Sequence, residues 1–83
     1  MPDFKVGKVT HYYDKIGVAI VEMIGDLAVG DKIKIVKEED KFEQEVASIQ
    51  VEHQQMQTAK KGDVIGLKVD QPIKEGAEVY KVS

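Results

Sequence analysis

Two histidines, His11 and His53, are the side chains of this 83-residue chain whose ordinary pKa lies near neutrality. With Asp14 or Glu52 they supply donor types that zinc accepts, but no third ligand stands at a metal-binding spacing. The expectation is two hydrogen-bonded surface histidines and no metal. Aliphatic hydroxyls occur only at Thr10, Ser48, Thr58 and Ser83, and the sequence pairs none of them with a histidine as nucleophile and base. Glu43 and Glu45 lie two apart, on one side of an extended chain, where Lys34 and Lys32 can offset them. General acid–base catalysis needs two carboxyls whose surroundings drive their pKa values apart, which a solvated strand face does not do. No Gly-x-x-x-x-Gly-Lys-Ser/Thr loop is present to cradle a nucleotide, so GTP binding is not expected either. The chain reads as a non-enzyme without cofactor.

What remains is contact chemistry. His11, Tyr12 and Tyr13, flanked by Lys8 and Lys15, form the first candidate surface. On a strand the two tyrosines point to opposite sides, which leaves one exposed to stack on a base or anchor a protein. The second candidate is Gln54, Gln55 and Met56, a polar stretch with one adaptable thioether. All twelve basic residues are lysine. Without arginine, bidentate readout of phosphate or guanine is disfavoured, although lysines can hold an RNA backbone as point charges.

These residues need a scaffold, and the composition describes one. Hydrophobic residues make up 42% and charged residues 33%, with net charge −3 and no cysteine. Packing and hydrogen bonds must therefore hold a single small domain over residues 1–83. The start of the chain lacks the basic and apolar pattern of a secretory signal, and no apolar run is long enough to span a bilayer. A cytoplasmic location without membrane contact is the expectation.

Phe4 to Tyr13 reads as a first strand whose apolar phase shifts near Gly7-Lys8, the mark of a bulge. Asp14 to Gly17 is a tight turn. Val18 to Ile24 is a strand apolar on both faces, which places it under cover on two sides or at a chain contact. Lys32 to Lys37 alternates clearly, Ile33 and Ile35 on one side and lysines on the other. A turn centred on Glu39-Asp40 then sends Phe42 to Glu52 back antiparallel, with Ile33 opposite Val46 and Lys34 opposite Glu45. His53 to Lys61 reads as a loop or one turn of helix. Val64 to Val69 and Glu78 to Val82 are the last strands, with Pro72 marking the connection between them.

Gly30, Gly62 and Gly76 each stand three residues before a β-branched strand residue, two of them followed by Asp31 and Asp63. Glycine allows left-handed backbone at such corners and aspartate caps the turn's amides. Gly17 and Gly66 are read as further turn positions. Short strands with this punctuation indicate an all-β fold: a small antiparallel barrel of six or seven strands.

The run from Gly25 to Ile35, GDLAVGDKIKI, resembles the second, β-barrel domain of translational GTPases such as elongation factor Tu. Ala59 to Leu67, AKKGDVIGL, and Lys74 to Val79 are similar to that domain's later turns, in the same order across residues 6 to 82. The same segments resemble the C-terminal barrel of the collagenase-like peptidase family, with Tyr13-Asp14, Gly17, Val21-Glu22 and Pro72 also in place. Either resemblance implies a translation-protein-type barrel. The first implies a translation-associated binding module that contacts tRNA, rRNA or a translation factor. That is the leading expectation; the alternative is a protein–protein accessory subunit of a separately encoded peptidase or RNA-modifying enzyme.

Overall fold

Valine and isoleucine alternating with lysine or glutamate can bury one side of an extended chain and wet the other. The protein is built from that pattern. The computed structural model describes residues 4–52 and 54–82, which form ten strands and no helix. The six longer strands are β1 (Phe4–Tyr13), β2 (Val18–Met23), β4 (Lys32–Lys37), β5 (Asp40–Glu45), β9 (Val64–Lys68) and β10 (Glu78–Lys81). Four segments of two or three residues complete the set: β3 (Leu27–Ala28), β6 (Ile49–Val51), β7 (Gln54–Met56) and β8 (Thr58–Ala59).

Eight strands form one antiparallel sheet in the order β5-β4-β10-β1-β2-β9-β6-β7, and β3 pairs with β8 in a separate ribbon. The sheet curls around one apolar cluster that includes Val9, Val21, Ile33, Ile65, Leu67 and Val79, each at most 1% exposed. This is the antiparallel barrel expected from the sequence, with four minor strands added.

Strand β1 bends to pair on both sides. Its register slips between Lys5 and Gly7 against β10, and between Val9 and His11 against β2. The single bulge expected near Gly7-Lys8 is thus two irregularities that flank it. Gly7 sits where the chains approach most closely: a Cβ there would lie 2.5 Å from Val21 Cγ1.

Two corners share one construction. In 28–31, Ala28 N–H donates to Asp31 Oδ2 at 2.9 Å and Asp31 N–H donates to Ala28 O at 3.1 Å, with Gly30 at φ 95°. In 60–63, Lys60 and Asp63 make the same pair of bonds at 2.9 and 3.0 Å, with Gly62 at φ 94°. Gly76 and Gly17 also take positive φ, 88° and 66°. Gly66, expected at a turn, instead lies inside β9 between Ile20 of β2 and Gln50 of β6. A Cβ there would meet Val18 Cγ1 at 3.3 Å on the β2 side and Gln50 Cβ at an ordinary 3.8 Å on the β6 side.

The β4–β5 hairpin differs from the sequence reading. Its turn is Glu38-Glu39, so Lys34 faces Glu43 and Ile33 faces Gln44. Glu38 supplies a positive φ of 55° without being glycine, which concealed the turn. The return strand also stops at Glu45 and resumes at Ile49, because Val46 turns to exchange bonds with the 30–31 corner. Within the stretch read as loop or helical turn, Gln54–Met56 and Thr58–Ala59 are strands, recruited by pairing with β6 and β3.

One polar side chain is buried among the described residues. Gln44, 7% exposed, donates from Nε2 to Lys68 O and accepts from Asp70 N–H at Oε1, both at 2.9 Å. A carboxamide offers one donor and one acceptor side by side, as a peptide group does. Gln44 therefore acts as a side-chain rung that stitches edge strand β5 to the chain leaving β9. It closes one end of the barrel seam.

Candidate functional site: an apolar groove on the outer sheet face

The interior is filled by aliphatic side chains, so recognition belongs on the outside. Outward positions on β2 are Val18, Ile20 and Glu22, and register sets Lys68, Gly66 and Val64 beside them on β9. On the other flank Tyr13 lies opposite Val18 and His11 opposite Ile20. Because Gly66 has no side chain, a hollow of about 290 Å³ opens beside Ile20. Tyr13, Ile16, Val18, Ile20 and Val64 give it apolar walls, and Gln50 and Glu52 a polar rim. Ile16 and Val64 are 58% exposed and Tyr13 47%. Scattered exposed aliphatics are ordinary; here they are contiguous and bounded by polar residues.

The first candidate cluster is placed at this groove only in part. Tyr13 lines it. His11, at its edge, packs edge-on against Tyr13 with ring centroids 4.5 Å apart, and its Nδ1 lies 2.8 Å from Glu75 Oε2. Tyr12 points inward and packs on the core. Lys8 is exposed on β1 between Glu22 and Glu78, and Lys15 is exposed in the turn after β1. Gln54, Gln55 and Met56 are exposed on β7, beyond β6, and do not line the groove. Ile16, Val18, Ile20 and Val64 are not among the sequence-derived site residues; the two-faced apolar character of β2 signals Val18 and Ile20 only.

Among the described residues no group of three His, Cys, Asp or Glu could hold a metal ion. His53, the other half of the metal expectation, lies outside the described residues. The perturbed pair of groups is elsewhere, on the outer face of β10. There Tyr80 Oη donates to Glu78 Oε2 at 2.5 Å, and Lys5 Nζ lies 3.5 Å from Glu78 Oε1. The Tyr80 hydrogen bond first, and Lys5 second, hold the Glu78 carboxyl below its ordinary value; the same bond raises the Tyr80 phenol. This pair is part-buried and lines neither the groove nor the other cavities described. Among the described residues no helix is long and apolar enough to cross a membrane.

The C-terminal domain of a putative U32 peptidase from Geobacillus thermoleovorans superposes with a TM-score of 0.89 at 23% identity. The match covers 98% of this chain and 93% of that domain. The fold is that of a U32 peptidase C-terminal domain. The selenomethionine variant of the same domain gives a TM-score of 0.85 at 22% identity, covering 90% and 95% of the two chains. In sequence, the chain is 38% identical over 77 residues to an uncharacterized protease of Methanocaldococcus jannaschii. That match takes in 92% of this chain but spans only 19% of the relative. No protein-family model matches the chain.

Of the two resemblances read from the sequence, these findings support the peptidase-family barrel. They correct the reading of an elongation-factor-like, RNA-binding translation module, since the similar proteins are a protease and a peptidase domain. The physical source of that error is plain. Gly-Asp corners and alternating strands specify a barrel, and the same barrel serves unrelated functions.

Proposed function

We propose that this chain is a non-catalytic accessory domain that docks on the body of a U32-type peptidase through the groove of Tyr13, Ile16, Ile20 and Val64. The observation that carries the reading is the proportion of the match. A segment equivalent to almost the whole chain makes up a fifth of a relative described as a protease. The other four-fifths supply a partner surface, and an apolar groove 290 Å³ in volume is what such a surface would cover. A protein partner suits this groove better than a nucleic acid, because its walls are aliphatic and its rim carries Glu52 and Gln50.

The test uses the uncovered four-fifths of the Methanocaldococcus jannaschii relative as a separate chain. Calorimetric titration with this protein should show binding that persists at high salt, as apolar contacts do. The double variant Ile16→Asp/Val64→Asp keeps the fold, since both side chains are exposed, and should weaken binding at least about tenfold. Unchanged affinity in that variant, or association that vanishes at high salt, rejects the groove. Peptide hydrolysis by this chain alone would reject the non-catalytic reading.

A further inference from the structure

The barrel seam is stitched at one end only. Beyond Gln44, toward the hairpin turn, no backbone hydrogen bond joins β5 to residues 71–74 among the described residues. A cleft of about 370 Å³ separates them. Pro72 lies in that connection and has no N–H to give, so at that residue the segment cannot donate to β5. The cleft floor is apolar: Ile35 and Ile73 are 2% and 8% exposed, with half-buried Phe42 beside them and exposed Pro72 at the rim. Its charged lining is three lysines, Lys37, Lys41 and Lys74, against the single Asp40. Glu38 and Glu39 sit in the turn, outside the lining.

Strand β5 pairs with β4 on one side and ends the sheet on the other. Its two-residue turn makes Lys37–Asp40 the first pair of the ladder. Alternation along an antiparallel pair then gives the backbone groups of Phe42 and Gln44 to β4 and turns those of Lys41 and Glu43 outward. The outward groups and the cleft lie on the same edge.

We propose that this cleft binds an extended acidic peptide segment as an added strand along β5. The peptide backbone would pair with the outward amides and carbonyls of Lys41 and Glu43. Alternate apolar side chains would rest on Ile35, Phe42 and Ile73, and acidic ones would meet Lys41 and Lys74. At roughly 3.4 Å per residue, the edge from Asp40 to Gln44 accepts about five peptide residues. Charge selects the occupant: a basic strand would meet the three lysines and be repelled. The site shares no lining residue with the groove of Tyr13 and Val64, so it stands or falls separately from the docking proposal.

The experiment is an NMR titration of the nitrogen-15-labelled protein with a peptide of alternating valine and glutamate. A valine–lysine peptide of equal length and a single-stranded oligonucleotide are the comparison probes. The acidic peptide should shift the amides of 41–43 and 73–74 and slow exchange at Lys41 and Glu43. Lys41→Glu/Lys74→Glu should weaken it at least about tenfold. Glu43→Pro removes an outward donor and no backbone bond to β4, at the cost of the exposed Glu43–Lys32 ion pair at 3.3 Å, and should weaken it about tenfold as well. If that proline variant loses its native spectrum, the lysine pair decides. Equal binding of the basic peptide, shifts at Tyr13 and Val64 instead, or stronger binding of the oligonucleotide overturns the proposal. So does full affinity in either variant.

Discussion

Replacing Gln44 by alanine tests whether one side chain holds the barrel seam. Its two hydrogen bonds, both 2.9 Å, would be lost together. Each such bond contributes about 0.5–1.5 kcal/mol net, and a buried group left unpaired costs about 1–3 kcal/mol. Lys68 O and Asp70 N–H lie in a part-buried seam that water can enter once the side chain is gone, so the lower end applies. The sum is about 2–3 kcal/mol. For a domain of this size that lowers the melting temperature by roughly 10–20 °C. Urea unfolding gives the free energy and a thermal scan the midpoint. Gln44→Glu sharpens the test, because a carboxylate still accepts from Asp70 N–H but confronts Lys68 O with a second acceptor. Burial and that carbonyl raise the pKa of the introduced carboxyl above its unfolded value. Its stabilising contribution is then complete below the unfolded pKa and lost as pH rises through the folded one. Gln44→Glu should therefore recover much of the wild-type stability in mild acid and lose it at neutral pH. A Gln44→Ala loss below about 0.5 kcal/mol, or a Gln44→Glu loss independent of pH, refutes the stitched seam.

Other perturbations address the bend of β1 and the Glu78–Tyr80 pair. Gly7→Ala should destabilise by about 1–3 kcal/mol in urea unfolding, since the new methyl would meet Val21 Cγ1 at 2.5 Å and Glu22 O at 3.1 Å. Gly66→Ala, with its nearest contact at 3.3 Å, should stay within about 1 kcal/mol of wild type. Because Glu78 is depressed below 4.5, its stabilisation is present above that value and lost as pH falls through the folded pKa. Tyr80 is raised above 10.0, so its contribution holds below that value and is lost as pH rises through the folded one. Tyr80→Phe should flatten the pH dependence of stability at both ends, only partly on the acid side because Lys5 remains. A profile unchanged by Tyr80→Phe would show that the bond does not persist in solution.

Strands β1 and β4 were legible to the residue because their own side chains decide them. In Lys32–Lys37 the buried positions, Ile33 and Ile35, alternate with lysine. The hairpin register was not legible, because Glu38 takes a left-handed backbone that no glycine announces. The slip was two residues, which keeps each side chain on its expected face while changing its partner. Gln44 shows the limit most clearly. Alternation with Glu43 and Glu45 already turned it inward, yet its partners lie 24 and 26 residues away and no local pattern names them. Strands β7 and β8 have no apolar alternation of their own and exist because β6 and β3 offer them edges. The groove was half visible in the two-faced β2. Ile16 and Val64 reach it from a turn and from another strand, and only the fold brings them together.

A filled interior means that this domain has the outer face and the open edge with which to bind, and the two obey different forces. The groove of Tyr13, Ile16 and Val64 gains from removing apolar surface from water, which salt does not weaken. The cleft beside β5 relies on three lysines and a strand edge, and salt screens its selectivity for acidic side chains. A domain anchored by the first and presenting the second would hold its place on a larger body while exchanging segments at the seam. That division also explains why the seam carries a glutamine and a proline in place of a continuous ladder. Gln44 fixes the geometry at one end, and at the other Pro72 withholds one donor from β5. Ionic strength is then the variable that separates the two sites within a single sample: raising it should release the peptide from β5 while leaving the apolar contact in place.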